Sequence, residues 1–139
     1  MTETSVSTLS KWEQAISKLV EFTQDGKLEW EIVNPKEYLP SGDIDGALLL
    51  VKYSDRYLLL CQKAFMRLSG GIFAAFSGTG TEVKDYRPEL SVYDFATKVT
   101  VYTFPYSKLT DDLYRAATYN ASKVDELISS ILGEIQNRT

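Results

Sequence analysis

Apolar residues recur first at helical and then at strand spacing along the first third of the chain. After Ser10, the residues Trp12, Ala15, Ile16, Leu19 and Val20 step by three and four and so share one side of a helix. Ser10 and Glu13 form the Ser-x-x-Glu pattern in which a hydroxyl and a carboxylate satisfy backbone amides at a helix start. Asp25-Gly26 ends the pattern, with glycine suited to the left-handed closing position. From Lys27 the period drops to two: Leu28, Trp30 and Ile32 lie on one side, Lys27, Glu29 and Glu31 on the other, up to the Asn34-Pro35 stop. Glu29 and Glu31 therefore read as a solvated strand face that discourages edge pairing, not as an acid–base pair.

Lys36 to Gly46 reads as a loop. Its Asp43-x-Asp45 opening resembles a calcium loop, but such a loop needs an oxygen ligand at Ala47 and a glutamate at Ser54. A hairpin follows, Ala47 to Tyr53 and Tyr57 to about Lys63 or beyond, around a turn at Ser54-Asp55-Arg56. Both strands are apolar on both faces, the mark of central strands covered on two sides. Met66 to Glu89 has no regular period. Its glycines, from Gly70-Gly71 to Gly78-x-Gly80, lack the Gly-Lys-Ser/Thr of a phosphate loop and read as turn or bulge residues. The small and polar stretch Ser77 to Pro88 is expected to open most cheaply.

Val92 to Phe104 reads as one long strand closed by Pro105. The last element is a helix capped at Thr110, with Asp111 and Asp112 in its first turn and a stripe of Leu113, Ala117, Ala121, Val124, Ile128, Ile131 and Ile135. Packing of this stripe on the chain's own sheet is expected. Ser122 with Asp125 repeats a capping pattern and allows a bend near Asn120. The prediction is an α+β fold: an N-terminal helix, four to five mainly antiparallel strands and a long C-terminal helix. Residues 1–139 read as a single domain, with 1–9 expected to be flexible.

Composition narrows the chemistry. The chain has 139 residues, 44% hydrophobic and 24% charged, the profile of one globular domain. It has no histidine, which excludes histidine-based nucleophilic, acid–base and zinc chemistry. Cys61 is the only cysteine, so no disulfide or Cys-x-x-Cys site can form within one chain; its apolar neighbours mark it as a buried small hydrophobe. No catalytic residue, metal ligand set or cofactor is expected. The net charge of −4 and a pI near 4.9 disfavour nucleic acid and anionic membranes. The amino terminus lacks the cationic start and apolar core of a signal peptide, and no apolar run reaches the ~18 residues of a membrane span. A soluble, cytoplasmic protein is the expectation.

Two segments carry a resemblance. Leu19 to Trp30, with its Gly26-Lys27-Leu28-Glu29-Trp30, and the terminal Leu113-Tyr114-Arg115-Ala116-Ala117 and Val124-Asp125-Glu126-Leu127-Ile128 resemble a loose group of short uncharacterised bacterial α+β proteins. In that group an amphipathic helix leads into a Gly-Lys-Leu-x-Trp strand, and a terminal helix carries an Ala-x-x-Val-Asp segment. The likeness covers the two ends and not the glycine-rich middle. It implies a small bacterial α+β module and brings no activity with it.

Two kinds of function remain. The missing histidine, the absence of an acid–base cluster and the two-sided strands favour a non-catalytic binding or protein-interaction module. The alternative is a small-molecule binder or small enzyme with a tyrosine-lined pocket at the sheet end, built from Tyr93, Tyr102, Tyr106, Tyr114 and Tyr119. Lys63 or Arg67 would anchor an anion there, and Lys63, Phe65 and Arg67 share a face if their strand continues. The binding candidates are thus Lys63, Arg67, Tyr102 and Tyr106. The expected partner is a second copy or another protein. If both long helices cover one sheet face, the other would expose residues such as Leu49, Val51, Leu59 and Cys61 to water and call for a homodimer; one helix on each face would give a monomer.

Overall fold

The computed structural model describes residues 9–40, 42–69, 78 and 81–138. Its elements are α1 (Lys11–Gln24), β1 (Glu31–Val33), α2 (Pro35–Tyr38), β2 (Ile44–Tyr53), β3 (Arg56–Ser69), β4 (Thr81–Asp94), β5 (Val99–Thr103), α3 (Lys108–Ala121) and α4 (Val124–Arg138). The fold is α+β, a five-stranded antiparallel sheet in the order β1-β2-β3-β4-β5 with a helix at each end of the chain. The long C-terminal helix bends by 39° at 122–123, close to the expected place, and separates into α3 and α4. The glycine-rich stretch 70–77, with 79 and 80, lies outside the described residues, as do residues 1–8 of the expected flexible terminus.

α1 starts as its sequence requires. The Ser10 hydroxyl accepts from the Glu13 amide at 3.2 Å, and the Glu13 carboxylate accepts from the Ser10 amide at 3.2 Å. The helix ends at Asp25, and Gly26 takes φ +75°, where a side chain would be strained. Trp30, 1% exposed, then ties three elements together. Its indole N–H donates to Thr23 of α1 at 3.0 Å, and its backbone N–H donates to the Asn120 side chain of α3 at 2.8 Å. The buried residue thus leaves neither its indole nor its backbone N–H unpaired.

Register decides which side chains share a face. Leu49 pairs with Leu60 and Val51 with Leu58, while Leu50 pairs with Leu59. Leu49, Val51, Leu58, Leu60 and Leu90 pack with Ile16 and Leu19 of α1 and Leu113 and Ala117 of α3, so both long helices cover the same face. The other face holds Leu48, Leu50, Leu59, Cys61 and Tyr93, each at most 7% exposed. The hydrophobic set expected to lie bare is therefore split between the two faces, and both halves are covered within one chain. On the second face α2 and the residues around it supply the cover: Tyr38, Leu39, Ile44 and Tyr57 pack there. Phe95 meets Tyr57, Tyr93 and Tyr38 edge-on, with centroids 4.3, 5.2 and 5.9 Å apart.

Four local readings are corrected. The strand expected over 92–104 is a hairpin, because the Asp94 carboxylate accepts from the Ala96 amide at 3.0 Å and the Thr97 hydroxyl at 2.9 Å and so turns the chain. The irregularity expected from Met66 to Glu89 gives way over 81–89 to a continuous ladder, Ser69↔Thr81 through Cys61↔Glu89. Pro88 is tolerated in it because β5 pairs with β4 only over Ser91–Asp94, which leaves position 88 an open outer edge. The C-terminal helix is capped by Ser107, which accepts from the Leu109 amide at 3.2 Å, and Thr110 is its buried partner in the capping box. Ile32, expected on the buried side of its strand, is 58% exposed, since β1 is the outer strand and no described helix packs extensively on it.

Leu59 is 1% exposed, so Leu59→Ala is expected to cost about 2–5 kcal/mol in urea unfolding, and Leu59→Lys to unfold the chain. Ile32→Thr is expected to stay within about 0.5 kcal/mol. Equal losses at the two positions would contradict this burial map.

Candidate functional site

β3 and β4 outrun their neighbours. β2 pairs with β3 only as far as Lys63, and β5 reaches β4 only from Ser91, so the far halves of β3 and β4 form a two-stranded arm. The strand does continue past Lys63, and period two places Lys63, Phe65 and Arg67 on one face, with Asp85, Arg87 and Glu89 beside them in register. Lys63 pairs with Glu89 at 3.1 Å and Arg67 with Asp85 at 3.0 Å. Arg87 behaves differently. Its guanidinium lies over Phe65 at 4.7 Å and over Tyr106 at 4.9 Å, and it makes no ion pair or hydrogen bond with the described residues. Tyr106 is itself held, donating to Asp111 at 2.6 Å. That bond, with a smaller contribution from burial, raises the Tyr106 phenol above its usual range. Lys63, Phe65, Arg87, Glu89 and Tyr106 line a cleft of about 270 Å³ at the root of the arm.

The opposite face of the arm is fastened to the β2 approach. Asp43, the residue that opened the failed calcium pattern, accepts from Lys84 Nζ and from Tyr86 Oη at 3.1 Å, while its carbonyl accepts from the Ala64 amide at 2.9 Å. The hydrogen bonds from Lys84 and Tyr86 hold the Asp43 carboxyl below its ordinary range, and the Lys84 bond raises that ammonium in return. Asp85 is lowered too, first by the Tyr86 amide and then by Arg67.

Of the four binding candidates, the cleft brings together Lys63 and Tyr106. Arg67 lies further out with Asp85, and Tyr102 is exposed on β5 against Phe104. The other tyrosines go elsewhere: Tyr93 into the second core, Tyr114 beside Gly46, and Tyr119 to the helix bend, where it donates to Asp125 at 2.7 Å. Arg87 was missed because Glu82 to Pro88 shows no hydrophobic period; its signal was the alternation of Val83, Asp85, Arg87 and Glu89 against Glu82, Lys84 and Tyr86.

A second feature lies at the end of the chain. The predicted stripe packs on the sheet only in its first half, where Leu113 and Ala117 are fully buried. In α4 every residue from 125 to 132 is exposed, including Leu127 (59%), Ile128 (46%), Ile131 (50%) and Leu132 (55%). At about 100° per residue, positions 124, 127, 128, 131, 132 and 135 fall within roughly 140° of the helix circumference. A notch of about 660 Å³ opens at the bend, lined by residues of mixed charge including Glu29, Arg115, Tyr119 and Lys123. Among the described residues no group of three or more cysteines or carboxylates is placed to hold a metal, and no helix is long and apolar enough to cross a membrane.

Compared with protein-family models, with curated proteins and with solved structures, the chain matches none. What stands on the geometry is a small α+β protein with an arm cleft and an uncovered helix.

Two titrations follow. Because the folded-state values of Asp43 and Asp85 are lowered, their support for the arm is complete above the ordinary aspartate value of about 3.9 and disappears as pH falls through the folded values. Carboxyl-carbon NMR is expected to give midpoints below that value for both; midpoints at or above it would refute the pairing. Burial pushes the Cys61 thiol up to about 11, so a thiol reagent at pH 8 is expected to label it only after unfolding.

Proposed function

We propose that the chain is a non-catalytic protein-interaction module that pairs with a second copy of itself through the apolar side of α4. The observation that carries this reading is the run of four aliphatic side chains, Leu127, Ile128, Ile131 and Leu132, each about half exposed on one helix. Such a stripe gains by burial against a like stripe, and two-fold pairing through the same surface is the usual closed solution. Electrostatics supports an antiparallel arrangement, which keeps the acidic first turns of the two α4 helices, with Asp125 and Glu126, apart. The helix dipoles then oppose as well.

The hairpin does not serve this purpose, since Leu49, Val51, Leu59 and Cys61 are all buried in the single chain. Tyr93, Tyr106 and Tyr119 line three different clefts, which weakens the reading as a tyrosine-lined small-molecule pocket. The acidic net charge of −4 suits a cytoplasmic module that avoids nucleic acid and anionic membranes. The resemblance of the two chain ends to short bacterial α+β proteins agrees with a compact bacterial module.

Light scattering at micromolar concentration is the test. Twice the chain mass of 15.7 kDa is expected, and Ile128→Glu with Ile131→Glu is expected to return it to the single-chain value with the melting temperature of the folded core kept. A single-chain mass for the unaltered protein would overturn self-pairing and leave α4 to a different protein.

A further inference from the structure

Of the other described arginines, Arg67 pairs with Asp85 and Arg115 with Asp112, while Arg56 at the start of β3 takes no acid among the described residues. Arg87 makes no ion pair among the described residues, its strand neighbours Asp85 and Glu89 being taken by Arg67 and Lys63, yet it is not loose. Phe65 lies 4.7 Å from it on the arm and Tyr106 4.9 Å from it on the segment before α3, and Tyr106 is anchored by its bond to Asp111. Stacking on rings leaves the N–H groups in the guanidinium plane available, and their fork matches the two oxygens of a carboxylate. A group already held in place gives up less rotamer freedom when it binds.

We propose that the cleft at the root of the arm is a carboxylate-binding site in which Arg87 is the bidentate donor and Lys63 the neighbouring cation. Charge selects the class of anion. Among the residues that line the cleft the cations are Lys63 and Arg87 and the acid is Glu89, which already takes Lys63 at 3.1 Å, so the positive charge of Arg87 has no acid partner in the lining. A monoanionic carboxylate balances it. A dianionic phosphate would leave negative charge beside Glu89 on a chain whose net charge is already −4. Size points the same way: about 270 Å³ is below the roughly 300–1,000 Å³ of drug-sized pockets, so the cleft suits a small acid or the last residue of a peptide. This site is separate from α4 and does not depend on self-pairing.

The test follows the Arg87 side-chain Nε–Hε resonance by NMR while acetate, N-acetyl-trialanine, its neutral C-terminal amide and inorganic phosphate are added in turn at fixed ionic strength. Arg56, at the start of β3, is the control signal. Saturable shifts at Arg87 with acetate or the peptide acid, and none with the amide, are expected. The tighter of the two identifies a free small acid or a chain terminus as the source. Arg87→Gln is expected to abolish the response with backbone resonances unchanged. Arg87→Lys, which keeps charge and loses the fork, is expected to weaken binding about tenfold or more, the worth of one charge-assisted hydrogen bond. Equal, non-saturating shifts at Arg87 and Arg56, or phosphate binding as tightly as the acids, would overturn the proposal.

Discussion

Everything in this fold answers to β2 and the near half of β3 being apolar on both faces. A sheet whose middle strands carry Leu48, Leu50, Leu59 and Cys61 on one side and Leu49, Val51, Leu58 and Leu60 on the other must be covered twice. Of the long described helices, α1 and α3 both cover one side, and α4 covers neither. The second side is closed by shorter means: a one-turn helix, a leucine and a set of aromatic rings. Large flat side chains make this workable, because each ring covers much area at the cost of few ordered residues. The turn after β4 then matters more than turns usually do, since it carries Phe95 into that cover.

The sequence made the periodic parts of this plan readable. The capping pattern at Ser10, the closing glycine at Gly26 and the two-sided hairpin all stand where the residue pattern placed them. Misreadings occurred where something other than hydrophobic period held the chain. An aspartate side chain broke the strand expected through 92–104, and backbone pairing with β3 carried the charged stretch up to Pro88 into the sheet. Ile32 obeys the alternation of its strand and is still exposed, because period tells which way a side chain points and not whether anything lies there.

The two features singled out for binding differ in how legible they were. Lys63, Phe65 and Arg67 could be placed on one face from spacing alone, provided the strand ran on. Arg87 could not be joined to them, since a cross-strand neighbour depends on register, and register here is fixed by hydrogen bonding over a long hairpin. α4 was read correctly as an amphipathic continuation of its helix. Its departure from the sheet follows from the bend at 122–123, where Lys123 takes φ +58° and turns the second half of the stripe away from the core that buries the first half.

The bond from Trp30 to Asn120 spans 90 positions of the chain, whereas each described strand pairs with its neighbours in sequence. The meander can therefore form through contacts between strands that follow one another in sequence. The helical layer cannot. Ile16 and Leu19 of α1 find their partners Leu113 and Ala117 only after the described strands have been made, because α3 follows the last of them. During synthesis the helix-facing side of the sheet thus waits without its second helix, and the helical layer closes only when segments about 90 positions apart meet.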